Sequence, residues 1–230
     1  MSLQEILAES IQHLEADGQL VQNALRLRAI RVGAIKAAGD LTGIKAAYHD
    51  EVTRILIDYF ESKGPITVQR NEFWRAAANA LGASFNLGWV DGGGGDIISD
   101  DDALDWYNAR LEAEFGYINT LFQEARELRG EDDFDYFQWI TSKADGYTRT
   151  TREFYNAGLL RASKDIMVTF MGNDGAESCD ECQMLKDQRH RVSWFVRRNF
   201  VPPHGTGLSC HRGRYCQHYL QSDKGERITA

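Results

Sequence analysis

The sequence predicts a mainly α-helical protein in which a helical body is followed by a small α+β module. Three observations predict it. Apolar residues recur three or four apart through most of residues 1–163, the spacing that gives a helix one apolar face. At "DIMVTFMGNDG" this periodicity stops, and Ile166, Val168 and Phe170 alternate with smaller or more polar neighbours before a turn, which is a strand signal. All four cysteines, Cys179, Cys182, Cys210 and Cys216, fall inside one 38-residue window, with none in the first 178 residues. The expected division is a body over residues 1–163 and a Cys-rich module over residues 164–230.

The elements follow in order. Ser2 and Glu5 have the spacing of a capping box, in which two side chains satisfy free amides at a helix start. Leu3, Leu7, Ile11 and Leu14 then share a face, weakened at Gly18 and resumed through Val21 and Leu25 to Ala38. Asp40 or Thr42 caps a second helix with a buried stripe of Ile44, Tyr48, Val52, Ile55 and Tyr59, ended at "KGP". A third helix runs from Val68 to Leu87. The run "DGGGGDIISDDD" is a loop, because four glycines lose too much backbone entropy in a helix. Ser99 with Asp102 forms a second capping box and opens the most regular helix, through Leu104, Tyr107, Leu111, Phe115, Ile118, Phe122 and Ala125. A last long helix spans Phe134 to Lys164, with Phe137, Ile140, Ala144, Tyr147, Thr151 and Phe154 on one face. Gly146 and Gly158 weaken its continuity. Beyond it, "HRVSWFV" reads as an extended piece and "PPHGTG" as a loop.

Charge divides the same way. Residues 179–230 carry nine Lys/Arg against five Asp/Glu, a balance of +4, while the preceding residues carry 17 against 29, a balance of −12. A net charge of −8 argues against a general nucleic-acid binder, which is usually basic. "MSLQEILAES" lacks a basic start followed by an apolar block, so no secretory signal is expected. No stretch approaches the roughly 18 apolar residues of a membrane span. The expectation is a protein made in a reducing cytoplasm, where clustered cysteines hold metal more often than they form disulfides.

The cysteines read Cys179-x2-Cys182-x27-Cys210-x5-Cys216. A CxxC turn brings two thiolates to one side of a zinc ion at about 2.3 Å, and a second pair closes a tetrahedron. The second spacing is wider than usual, which leaves His204 or His211 as a replacement for one sulfur. Buried packing cysteines and two disulfides are the alternatives; metal is favoured because packing alone does not gather every cysteine into one window. His190, His211 and His218 stand near the cluster as outer-layer groups. The glycine run lacks the Gly-Lys-Ser/Thr of a phosphate loop and the alternating acids of a calcium loop. No serine–histidine–acid or cysteine–histidine arrangement is legible, so no enzyme is expected.

The order of strand, CxxC, aromatic-bearing stretch, "PPHG" and terminal cysteines resembles the C-terminal module of minor head proteins of tailed bacteriophages, the phage Mu head-morphogenesis type. Cys179 and Cys182 match the first pair, Pro203 and His204 the next element, and Cys210 and Cys216 the final sulfur positions. The family often ends in Cys-Arg-Cys, whereas this chain has "RYC", Arg214 to Cys216. The resemblance covers residues 150–220. It implies a non-enzymatic virion protein that associates with the portal and major capsid protein, present in the host cytoplasm during assembly. The ligands it implies for a structural zinc are Cys179, Cys182, Cys210 and Cys216, with His204 in reserve. Arg189, Arg191, Arg197 and Arg198 would face packaged DNA or an acidic subunit surface, and the acidity of the chain favours protein. The rival readings are a zinc-dependent nucleic-acid-processing enzyme and a zinc-module adaptor that binds other proteins.

Overall fold

The computed structural model of the chain describes residues 40–61, 65–95, 100–131, 134–172, 179–202 and 217–229. The helix expected up to Ala38, together with Ser99, His204, Cys210 and Cys216, lies outside the described residues. The described chain is mainly helical with one small sheet.

Helix α1, Leu41–Glu61, buries Tyr48, Val52, Ile55 and Tyr59 of the expected stripe, while Ile44, in its first turn, is half-buried. Asp40 is the cap that is used: its carboxylate accepts the Gly43 amide at 2.7 Å, one of the amides a helix start leaves unpaired. Helix α2, Ile66–Asp91, is longer at both ends than expected. It follows Pro65, whose missing N–H costs no intrahelical bond at that position. Helix α3, Asp101–Leu128, has Asp100 as its N-cap. Asp100 accepts the Ala103 amide at 2.8 Å, so the acid nearest the first turn takes the role.

The long helix expected from Phe134 to Lys164 is two helices, α4, Tyr136–Thr148, and α5, Thr150–Ala162. The interruption falls at Arg149 and at neither glycine. Around it the Thr148 hydroxyl donates to the Asp145 carbonyl at 3.2 Å and the Thr151 hydroxyl to the Thr148 carbonyl at 2.6 Å. Such hydroxyls compete with the backbone for helical carbonyls. Phe137, expected on the buried face, is 54% exposed.

Gly158 has a different purpose. The most extensive helix contact in the chain is α2 against α5, and glycines sit where the two backbones meet. A Cβ on Gly158 would lie 2.1 Å from the Phe85 carbonyl oxygen, and one on Gly88 would lie 1.9 Å from that of Tyr155. Gly92, the first glycine of the run, continues the seam, since a Cβ there would lie 2.4 Å from the Leu159 carbonyl oxygen. Backbone has nowhere to retreat in a close-packed interior. Around this seam Phe73, Leu81, Phe85, Tyr107, Leu111, Phe115, Phe122 and Phe154 form the core of the body.

One buried ionic group ties α3 to α5. Arg110 holds both oxygens of Glu153, Nε to Oε1 at 2.9 Å and Nη2 to Oε2 at 3.0 Å. Its third nitrogen lies 2.5 Å from Glu114 on its own helix. The three side chains are 10% exposed or less. Removing one member of such a group costs about 3–5 kcal/mol, because the others stay buried without compensation.

After α5 the chain forms β1, Met167–Met171, α6, Asp180–Leu185, β2, Arg189–Arg191, α7, Val192–Arg197, and β3, Tyr219–Ser222. The expected extended piece "HRVSWFV" is therefore strand only through Arg191. The sheet order is β2-β1-β3, antiparallel throughout. Val168 pairs with His190 and Phe170 with Leu220. Val168, Phe170 and Leu220 pack with Cys182, Leu185, Val192, Phe195 and Val201. The module thus has a small apolar core of its own. Leu160 of α5 belongs to this second core, and the Asn156 amide donates to the Pro202 carbonyl at 2.9 Å.

Gly158→Ala is expected to lower stability by about 1–3 kcal/mol, the usual range for overpacking. Gly116→Ala on α3, where a Cβ meets nothing within 4 Å, is expected to raise it by about 0.5–1 kcal/mol. Urea unfolding of the two variants checks the pair.

Candidate metal centre and its basic surroundings

Cys179 is the N-cap of α6 and Cys182 lies in its first turn. Cys179 has an extended backbone, φ −68° and ψ 163°, while the Gln183 amide donates to the Cys179 carbonyl at 2.9 Å and starts the helix. Residues three apart across a helix start lie on one side of the turn. Both side chains are buried, at 9% and 0% exposure. Asp180 and Glu181 between them stay at the surface or half-buried, so the sulfurs face inward and the carboxylates do not.

Two inward thiols on one turn fit half of a tetrahedral sulfur set. The other proposed donors, Cys210, Cys216 and His204, lie outside the described residues. Among the described residues no three or more His, Cys, Asp or Glu side chains gather as a metal site.

The histidines near the cysteines have other neighbours. His190 stacks on Trp194 with ring centres 3.8 Å apart and planes 10° apart. His218 is buried, stacks on Phe170 at 5.3 Å, and lies so close to Gly172 that a Cβ there would meet its ring at 3.0 Å. His211 lies outside the described residues.

The four arginines are unequal. Arg189 grips both oxygens of Asp223, with Nε to Oδ1 at 2.9 Å. Arg191 donates to the Asp165 carbonyl at 2.8 Å and lies 3.9 Å from its carboxylate. Arg198 covers the Trp194 ring at 4.4 Å, so that tryptophan carries a ring on one partner and a guanidinium on another. Arg197 is exposed, and among the described residues it has no ion-pair partner. Asp165 also accepts the Ser193 amide at 2.8 Å at the start of α7.

These contacts shift the acids. The Ser193 amide, with Arg191 and Arg197 nearby, holds the Asp165 carboxyl below its usual range. The Arg189 hydrogen bond does the same for Asp223. Sequence reasoning singled out the four arginines but not the acids that occupy two of them. Asp165 lies just before β1, and Asp223 lies 34 residues from its partner, so no local pattern links the pairs.

No protein-family model matches the chain, and neither a curated protein nor a solved structure matches it. No helix among the described residues is long and apolar enough to cross a membrane.

The pH dependence has a definite sign. A carboxyl depressed in the folded state adds stability above its unfolded pKa, about 3.9 for Asp, and loses it as the pH falls through the lower folded value. Acid titration followed by tryptophan fluorescence should show the module loosening below pH 4. In Asp165→Asn that acid limb should be shallower.

Proposed function

We propose that this chain is a bacteriophage minor head protein, associated with the portal and the major capsid protein, whose C-terminal module is closed by a structural zinc ion. The observation that carries the reading is the pair of buried thiols, Cys179 and Cys182, on the first turn of α6. They stand at the positions through which the sequence resembles the phage Mu head-morphogenesis type. Cys210 and Cys216 supply the second pair in this reading, with His204 as the substitute for one of them. Zinc held by four such donors is a closed structural site and contributes folding energy directly.

The chain's own residues prepare for that role. The small core of Val168, Phe170, Phe195 and Leu220 backs α6 and holds the two sulfurs away from water. A core of this size benefits from a staple. The basic arginines of the module lie opposite in charge to the acidic body, which favours contact with protein over packaged DNA. The protein is assigned to the virion, and to the host cytoplasm during assembly, with no enzymatic step.

Protein purified without added metal should contain about one zinc per chain by elemental analysis, the stoichiometry of a single tetrahedral site. Cys179→Ser should reduce that content and loosen the module while the helical signal of the body persists. Unchanged zinc after the substitution would remove Cys179 from the ligand set. For the virion assignment the test is mass spectrometry of purified particles made from the same genome; absence of the chain from them rejects it.

A further inference from the structure

One end of the body carries a contiguous patch of aromatic rings. Phe60, at the end of α1, lies 5.9 Å from Phe134, 5.3 Å from Tyr136 and 5.6 Å from Trp139 between ring centres. Phe137 continues the patch, 4.3 Å from Tyr136 and 54% exposed. The other four rings are half-buried. Phe60, Tyr136 and Trp139 rest against the body's core and keep part of their surface outside it. The rim is polar: the Trp139 indole N–H donates to Glu124 at 2.9 Å, and Lys143 pairs with the same carboxylate at 2.8 Å. A contiguous apolar surface inside a polar rim marks a face that something covers.

The chain holds a segment suited to it. Residues 1–39 precede α1 and lie outside the described residues, and their apolar residues recur three or four apart with a weak point at Gly18. The connection into α1 is short. Gly39, of the residue type that most often ends helices, is followed at once by Asp40, whose carboxylate caps α1. Helices joined by about two to five residues fold back as antiparallel neighbours. Residues 19–38 are 20 in number and α1 has 21, so at about 1.5 Å per residue a returning helix runs the same length as α1, about 30 Å. That register brings residue 19 level with Phe60. Gly18 then falls where α1 ends and the rings begin, and the stripe of Leu3, Leu7, Ile11 and Leu14 lies just before it in the chain. Charge agrees with this course. Residues 18–39 carry Arg26, Arg28, Arg31 and Lys36 and no acid, while α1 exposes Asp50, Asp58 and Glu61 against Lys45 and Arg54.

We propose that the ring patch is the docking site of this chain's own N-terminal segment, with residues 19–38 returning along α1 and Leu7, Ile11 and Leu14 laid on Phe60, Phe137 and Trp139. A second copy of the chain is the rival occupant. The tether decides between them, because a segment joined by a short connection meets its site at an effective concentration of about millimolar, which a separate molecule in dilute solution does not reach. Docked in this way, the segment closes the patch to other proteins. The inference is independent of the zinc ion and of the virion assignment.

The test places the photoreactive p-benzoylphenylalanine at Phe137 of the full chain, an exposed position that accepts a larger ring. Cross-links are mapped by mass spectrometry on the monomer-sized band of a denaturing gel. Cross-links to residues 3–14 of the same chain are expected. The same probe at Val90, 53% exposed at the opposite end of α2, should give none to that segment. Leu7→Asp combined with Ile11→Asp should lower the Phe137 yield about tenfold or more, as loss of two apolar contacts requires, with folding checked by circular dichroism. Cross-links from Phe137 to a second chain, to another part of the same chain or to nothing would overturn the proposal. So would an equal yield from Val90, or an unchanged yield in the double variant.

Discussion

At the crossing of α2 and α5 the two backbones touch, and most of the architecture follows from that contact. Gly88 and Gly158 are the residues that permit it, each facing a carbonyl oxygen of the other helix closer than any Cβ could approach. Helices normally sit 8–10 Å apart because side chains hold them there. Without side chains at the crossing, α5 is drawn against α2 and fixed in rotation as well as position. Phe154 and Ala157 then face the body's core, while Leu160, one turn on, reaches the core of the module. A single helix therefore belongs to two cores, and the boundary near residue 163 that composition marks is crossed by packing at Leu160 and by the Asn156 bond to Pro202.

Charge placement follows from this geometry. Arg110 is buried with Glu114 and Glu153, and the cost of taking these charges out of water offsets much of their attraction. In the module, Asp223 and Asp165 occupy Arg189 and Arg191. Arg161 of α5 and Arg197 of α7 line one cleft together with Asp100, Asp102 and Asp165. The location of that cleft is a consequence of α5 ending where the module begins.

Some of this was legible in the sequence, for physical reasons. The stripe of Tyr48, Val52, Ile55 and Tyr59 and that of Tyr107, Leu111, Phe115, Ile118 and Phe122 are local periodicities, and burial is what they encode. The strand at Val168 and Phe170 and the turn at Cys179 and Cys182 are equally local. Gly158 was misread because glycine weakens a helix unless a second backbone needs its space, and that partner, Phe85, is 73 residues away in sequence. The interruption at Arg149 depends on threonine hydroxyls that a face pattern does not weigh. "HRVSWFV" alternates like a strand, yet Asp165 caps a helix inside it from 28 residues upstream. The core position of His218 and the exposed position of Phe137 are likewise set by neighbours distant in the chain. At the candidate metal centre, the spacing identified the thiols and tertiary structure determined that they face inward.

The account holds that α5 carries both cores, so the decisive measurement is residue-resolved hydrogen exchange in Leu160→Ala. The Phe170 amide, bonded to the Gln188 carbonyl at 3.0 Å on the sheet, should exchange markedly faster, while amides in the middle of α1 keep their protection. Unchanged protection at Phe170 would mean that the module stands without the helix, and the shared-spine account would be wrong.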